Sequence, residues 1–204
     1  MRATSTVLTA VAAAVFALGT LVAGPLPLRA APAPSAPDQP RLPPRAASLD
    51  ELFARLSETS DESEAKGIVS SIERRWMRSG SDTADLLMSR ALDALQAEDQ
   101  ALAVELLDRV VVLRPEWAEG WNKRATVFFM MGDMTRSMAD IREVLAREPR
   151  HFGALAGMGI ILQNTGDKKH AYEAFKKALA VNPFLPDVKS AVEKMAPEMD
   201  GKDI

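Results

Sequence analysis

From Ser48 onward apolar residues recur at steps of three and four, with polar and charged residues between them. Ser48 and Glu51 form a capping box ahead of Leu49, Leu52, Phe53 and Leu56. Asp61 and Glu64 open a second helix, whose stripe is Ala65, Ile68, Val69, Ile72 and Trp76; Ser79 and Gly80 close it. No segment shows the strict alternation of a half-buried strand, so the pattern predicts helices throughout.

A longer period lies over the short one. Pro115, Pro149 and Pro183 are spaced by 34 residues, and so are Gly132 and Gly166, with Glu98 in the corresponding place before them. Frames of 34 from Ala84, Ala118 and Phe152 align small residues at position eight (Ala91, Ala125, Gly159) and position twenty (Ala103, Ser137, Ala171). Larger side chains align at position twenty-four (Leu107, Ile141, Phe175), and Val110, Val144 and Ala178 fall at position twenty-seven. Small residues at eight and twenty let two helices approach closely, and a Pro at thirty-two ends the second helix because it cannot donate to the preceding turn.

A helix–turn–helix unit of 34 residues with this pattern resembles the tetratricopeptide repeat. The middle frame carries the resemblance on Trp121, Ala125, Phe128, Ile141 and Pro149. The third carries it on Leu155, Met158, Gly159, Leu162, Ala171, Phe175 and Pro183, and the first on Leu87, Ala91, Ala94, Ala103, Leu107 and Pro115. The resemblance implies an all-α, right-handed α-solenoid of three helix pairs, 84–117, 118–151 and 152–185. One repeat cannot bury its apolar face alone, so flanking helices are expected. Residues 48–80 form either a degenerate fourth pair or two capping helices over one end. Residues 186–196 cover the other end with Val188, Ala191, Val192 and Met195, ahead of a frayed tail from Pro197 to Ile204.

Position seven departs from the pattern: Arg90 and Arg124 stand where an apolar residue is usual. A buried Arg needs a partner. Asp140 lies opposite Arg124 on the facing helix, which predicts an Arg124–Asp140 pair. Arg90 faces Leu106 and must find another acceptor or extend to water.

The resemblance also implies a concave groove lined by positions two, five, nine, twelve and thirteen. These are Asp85, Met88, Leu92, Leu95 and Gln96; then Glu119, Asn122, Thr126, Phe129 and Met130; then Gly153, Ala156, Ile160, Gln163 and Asn164. Met88, Leu92, Glu119, Asn122, Thr126, Phe129, Met130, Ile160, Gln163 and Asn164 are the candidate partner-binding residues. Relatives that grip a C-terminal carboxylate do so with Lys and Asn at positions five and nine. Here those positions hold Met88 and Leu92, Asn122 and Thr126, Ala156 and Ile160, so that clamp is missing. A mostly apolar groove suits a helix or extended segment with apolar anchors.

Ahead of the repeats, residues 1–30 carry no acid and only Arg2 and Arg29, around the uncharged run Val7 to Ala23. This reads as a secretory signal peptide, cut after Ala30 or after Ala23; the alternative is an uncleaved membrane anchor. Residues 31–47 hold six of the 13 prolines and read as an extended spacer, with a P-x-x-P frame at Pro40 and Pro43 as the sharper reading. Export places the chain in a bacterial periplasm, or anchored in the inner membrane facing it.

Composition narrows the chemistry. With no Cys there is no disulfide framework, thiolate zinc site or Cys nucleophile. The formal charge of −3 and an aromatic share of 5% give no nucleic-acid surface. His151 and His170 are the two histidines: one falls on an inter-repeat turn, the other on an outward helix surface. Gly132-Asp133 separates Met130 and Met131 from Met134 and Met138, so these methionines are packing or groove residues and no copper site is expected. No cofactor and no catalytic constellation is expected. The reading is a non-catalytic exported adaptor that binds an unidentified protein or peptide segment, the alternative being a self-associating structural protein.

Overall fold

The computed structural model describes residues 47–201. The expected signal peptide, and the linker save its last residue, lie outside the described residues. Within them are nine helices and no strand: α1 Leu49–Glu58, α2 Glu62–Trp76, α3 Asp82–Gln96, α4 Gln100–Leu113, α5 Ala118–Met130, α6 Met134–Arg147, α7 Phe152–Asn164, α8 Lys168–Val181 and α9 Pro186–Asp200. None of these is long and apolar enough to cross a membrane.

Three hairpins, α3–α4, α5–α6 and α7–α8, form the repeated unit. Each reverses direction through the same chemistry. The residue at frame position fifteen has positive φ, at Glu98 (60°), Gly132 (79°) and Gly166 (86°). The next residue is an aspartate whose carboxylate caps the second helix: Asp99 accepts the Leu102 N–H (3.0 Å), Asp133 that of Arg136 (2.9 Å) and Asp167 that of His170 (3.3 Å). Small residues then meet where the helices cross. Ala91, Ala103 and Ala171 are fully buried, and Ser137 Oγ donates to the Ala125 carbonyl at 2.8 Å. At Gly159 a β-carbon would lie 2.4 Å from the Phe175 ring, so only glycine fits this crossing. α9 closes the last hairpin through Val188, Ala191, Val192 and Met195. It continues through Pro197 to Asp200 rather than fraying at the proline, because Ala196 and Met199 still pack on the same cluster.

α1 and α2 depart from expectation. They do not extend the stack over the outer face of α3 and α4. Instead the apolar sides of both helices form a cluster with Phe152, Val181, Phe184 and Leu185, which lie at the turns after the second and third repeats. The C-terminal end of α2 reaches the turn after the first repeat, where Trp117 Nε1 donates to the Trp76 carbonyl at 2.6 Å. Its N-terminal end lies by Pro183, Phe184 and Pro186, which share a depression with Glu62 and Lys66. Fifteen residues at 1.5 Å each give α2 a length of about 22 Å, enough to run along all three turns. The bulky residues it meets at the turns recur in one register: Trp117, His151 and Leu185 all occupy frame position thirty-four.

Candidate functional site

The concave side of α5 and α7 opens into a cavity of about 230 Å³, floored by α6. Asn122, Thr126 and Phe129 project from α5, Ser137 and Ile141 from α6, and Gly153, Ala156 and Ile160 from α7. The cavity exists because α7 is unusually small-sided here: FGALAGMGI puts three glycines and two alanines into two turns. No charged side chain lines it.

The expected groove residues divide. Asn122, Thr126, Phe129 and Ile160 come together at this cavity, and Met130 is exposed beyond it. Gln163 and Asn164 are exposed at the far end of α7, Gln163 with its amide 3.9 Å from Met195 Sδ. Leu92 is half-buried against the core of the first repeat. Two expectations are corrected. Met88 is 2% exposed and belongs to that core, because Met77, arriving from α2, packs on the same cluster and the unbranched Met88 side chain folds in with it. Glu119 is 4% exposed and faces inward, toward His151 and the row of turns.

Glu119 is the centre of a buried polar group that sequence reasoning missed. His151 caps α7, its Nδ1 accepting the Ala154 N–H at 3.0 Å. The ring proton therefore sits on Nε2, which donates to Glu119 Oε2 at 3.0 Å. Lys123 Nζ lies 2.8 Å from Glu119 Oε1, and Asn122 Nδ2 lies 3.2 Å from both carboxylate oxygens. Burial alone would push the Glu119 carboxyl up; the His151 hydrogen bond and the Lys123 charge outweigh it and hold the group below the ordinary 4.5. The other face of the imidazole stacks on Trp76, with centroids 4.2 Å apart and planes 12° apart. The recurrence of Trp117, His151 and Leu185 at position thirty-four was the available signal. It marked a row of side chains awaiting a cover.

Arg124 and Asp140 meet inside the second repeat. Nε and Nη2 of Arg124 reach Oδ2 and Oδ1 of Asp140, each at 2.8 Å, in a two-pronged pair. Nη1 reaches back to Asp108 of α4, also at 2.8 Å. The Asp140 hydrogen bond is the main cause that raises the Arg124 guanidinium above its ordinary range. The guanidinium also lies over the Trp121 ring at 5.0 Å. Arg90, one repeat earlier, is exposed.

A TPR repeat-containing protein of Rhizobium etli is 39% identical to this chain over 153 residues, an alignment covering 75% of each. The chain belongs to the tetratricopeptide repeat family. No model of a known protein family matches its sequence. The small glutamine-rich tetratricopeptide repeat-containing protein 2 of Mycosarcoma maydis is 25% identical over 100 residues, spanning 49% of this tetratricopeptide repeat chain and 28% of its own length. Among solved structures, the Sgt2 TPR domain from Aspergillus fumigatus superposes with a TM-score of 0.55 at 18% identity, covering 60% of this chain and 83% of that domain. The first TPR of Spaghetti, bound to an HSP90 peptide, superposes at 0.56 with 13% identity, covering 59% and 95%. These likenesses show the tetratricopeptide repeat fold.

Proposed function

We propose that this tetratricopeptide repeat protein is a non-catalytic exported adaptor that holds a segment of a partner protein in the concave groove of α5 and α7. The observation that carries the reading is the cavity itself. It is an apolar concavity of about 230 Å³ on the face that family members use, bounded by Phe129 and Ile160 and open to solvent. An apolar anchor from the partner would bury there, while the rest of its segment runs along Asn122, Thr126 and Met130. The HSP90 peptide bound by the Spaghetti domain, SRMEEVD, is acidic. The cavity here offers no cation to such a peptide, which favours an uncharged, apolar-anchored segment. Export rests on the leader pattern of residues 1–30.

The test is a photocrosslinking amino acid placed at Phe129 in one variant and at Ala180, on an exposed face of α8, in another. The reading expects a discrete crosslinked protein from position 129 and none from 180. Equal products from both positions, or none from 129, would move the binding site elsewhere. Sequencing the N-terminus of the recovered chain tests export: a start at Ala31 or Gly24 supports a cut leader, and an intact N-terminus supports the anchored form.

A further inference from the structure

Among the described residues, four of the seven large apolar side chains that stand exposed belong to the first hairpin: Leu86, Leu102, Val112 and Leu113. Three of them are on α4. There Leu102, Glu105, Arg109 and Val112 follow one another at steps of three, four and three, which sets them on one stripe of the helix. All four are exposed, Val112 at 81% and Leu102 at 42%. Glu105 and Arg109 pair with each other at 2.6 Å along the helix. The same frame positions hold Arg136, Ala139, Glu143 and Ala146 on α6, and His170, Glu173, Lys177 and Ala180 on α8. Those stripes have a polar residue at one end and an alanine at the other. Only α4 has a large apolar residue at each end. A terminal repeat ordinarily turns a polar face outward, and α1 and α2, which gather on the turns, leave this stripe open.

The order of the stripe fits one cover in particular. Along α4 it runs apolar, acid, base, apolar; read backwards it runs apolar, base, acid, apolar. Two copies of α4 laid antiparallel therefore match at every step. Leu102 meets Val112 of the second copy at both ends, and Glu105 meets Arg109 of the second copy at the centre. The three-four-three spacing is that of a two-helix seam. A parallel pair would instead set Glu105 on Glu105 and Arg109 on Arg109. Each charge keeps its neighbour along its own helix, so the four alternate in sign around the two-fold axis. Asp108, beside the stripe, is held by Arg124 at 2.8 Å and brings no unpaired charge. A foreign helix would have to carry this order independently, whereas a second copy carries it by symmetry. The stripe is about 15 Å long, so the contact belongs with the small, weak interfaces.

We infer that the outer stripe of α4 is a self-association surface, which joins two copies of this chain through antiparallel α4 helices about a two-fold axis. The cavity between α5 and α7 is lined by none of these residues, so the inference stands apart from the groove reading. The chain as recovered from cells is followed by sedimentation equilibrium from about 10 µM to about 1 mM, where a contact of this size should associate. The mean mass of the parent is expected to rise from one chain toward two. Arg109→Glu gathers four acids at the axis and Glu105→Arg four bases, and each should weaken association about tenfold or more. The double variant, Glu105→Arg with Arg109→Glu, restores opposite charges across the axis and should associate as the parent does. The pairing is read by disulfide capture, since the chain has no Cys of its own. When Leu102→Cys and Val112→Cys proteins are mixed and oxidised, 102 should join 112 in preference to 102–102 or 112–112. A parent that stays monomeric over the whole range overturns the inference. So do single reversals that associate as the parent does, a double reversal that stays monomeric, or disulfides that favour like positions.

Discussion

Arg124 shows how far the 34-residue frame reaches at the scale of single residues. Positions seven and twenty-three face each other across a repeat, so Arg124 and Asp140 could be paired from the sequence. The frame did not show the third member, Asp108, which comes from the preceding hairpin. The two carboxylates should differ sharply in value. Asp140→Asn leaves a half-buried guanidinium short of its counter-charge and should lower unfolding free energy by about 3 kcal/mol in urea titration. Asp108 is 54% exposed, and Asp108→Asn should cost under about 1 kcal/mol. Equal effects would contradict the geometry. Glu119 was misread because the frame says nothing about a helix that leaves the stack: its register is that of a groove residue, and the path of α2 buries it against His151. Its folded carboxyl titrates below the unfolded value of about 4.5, so the folded state binds fewer protons. The stability it contributes is therefore complete above about pH 4.5 and is lost as pH falls through the folded value. The stability gap between parent and Glu119→Gln should be widest near neutrality and close below about pH 4.5. A gap that widens on acidification would contradict this sign.

At the scale of elements, the three hairpins were the most legible part of the molecule. Their crossings depend on local chemistry that recurs: a small residue at eight and twenty, a positive-φ residue at fifteen and an aspartate cap at sixteen. The one irregularity is Glu98, held at φ 60° where the later repeats have glycine. The left-handed region costs a residue with a β-carbon about 1 kcal/mol, so Glu98→Gly should raise unfolding free energy by about that amount. A loss of stability would mean that the Glu98 side chain contributes more than its backbone costs. α9 was legible in its inward stripe but not in its end, since Pro197 marks a stop by local rules and its neighbours' packing overrides it. α1 and α2 were legible as helices, from their N-terminal caps and stripes, but not in their destination. An amphipathic stripe states that a face is buried and does not name its partner.

At the scale of the whole molecule, the α1–α2 pair ties the inter-repeat turns together from outside the stack, through Trp76 against His151 and Trp117. Trp76→Ala should remove about 3–5 kcal/mol. The loss should appear first as faster amide exchange in residues 49–76, with α5 to α8 keeping their protection. A uniform loss across all helices would show instead that α1 and α2 are continuous with the stack. The concave face is free of this strap, and its cavity is the feature on which the functional reading rests. The most direct measurement fills it. Ala156→Trp places an indole from α7 into the space beside Phe129 and Ile160, while Ala180→Trp puts the same bulk on an exposed face of α8. With the partner identified by the position-129 crosslink, its affinity for the two variants is measured by calorimetry, with melting curves checking that both fold. The account predicts that Ala156→Trp abolishes binding and Ala180→Trp leaves it at the parent value. A folded Ala156→Trp protein that binds as the parent does would contradict it.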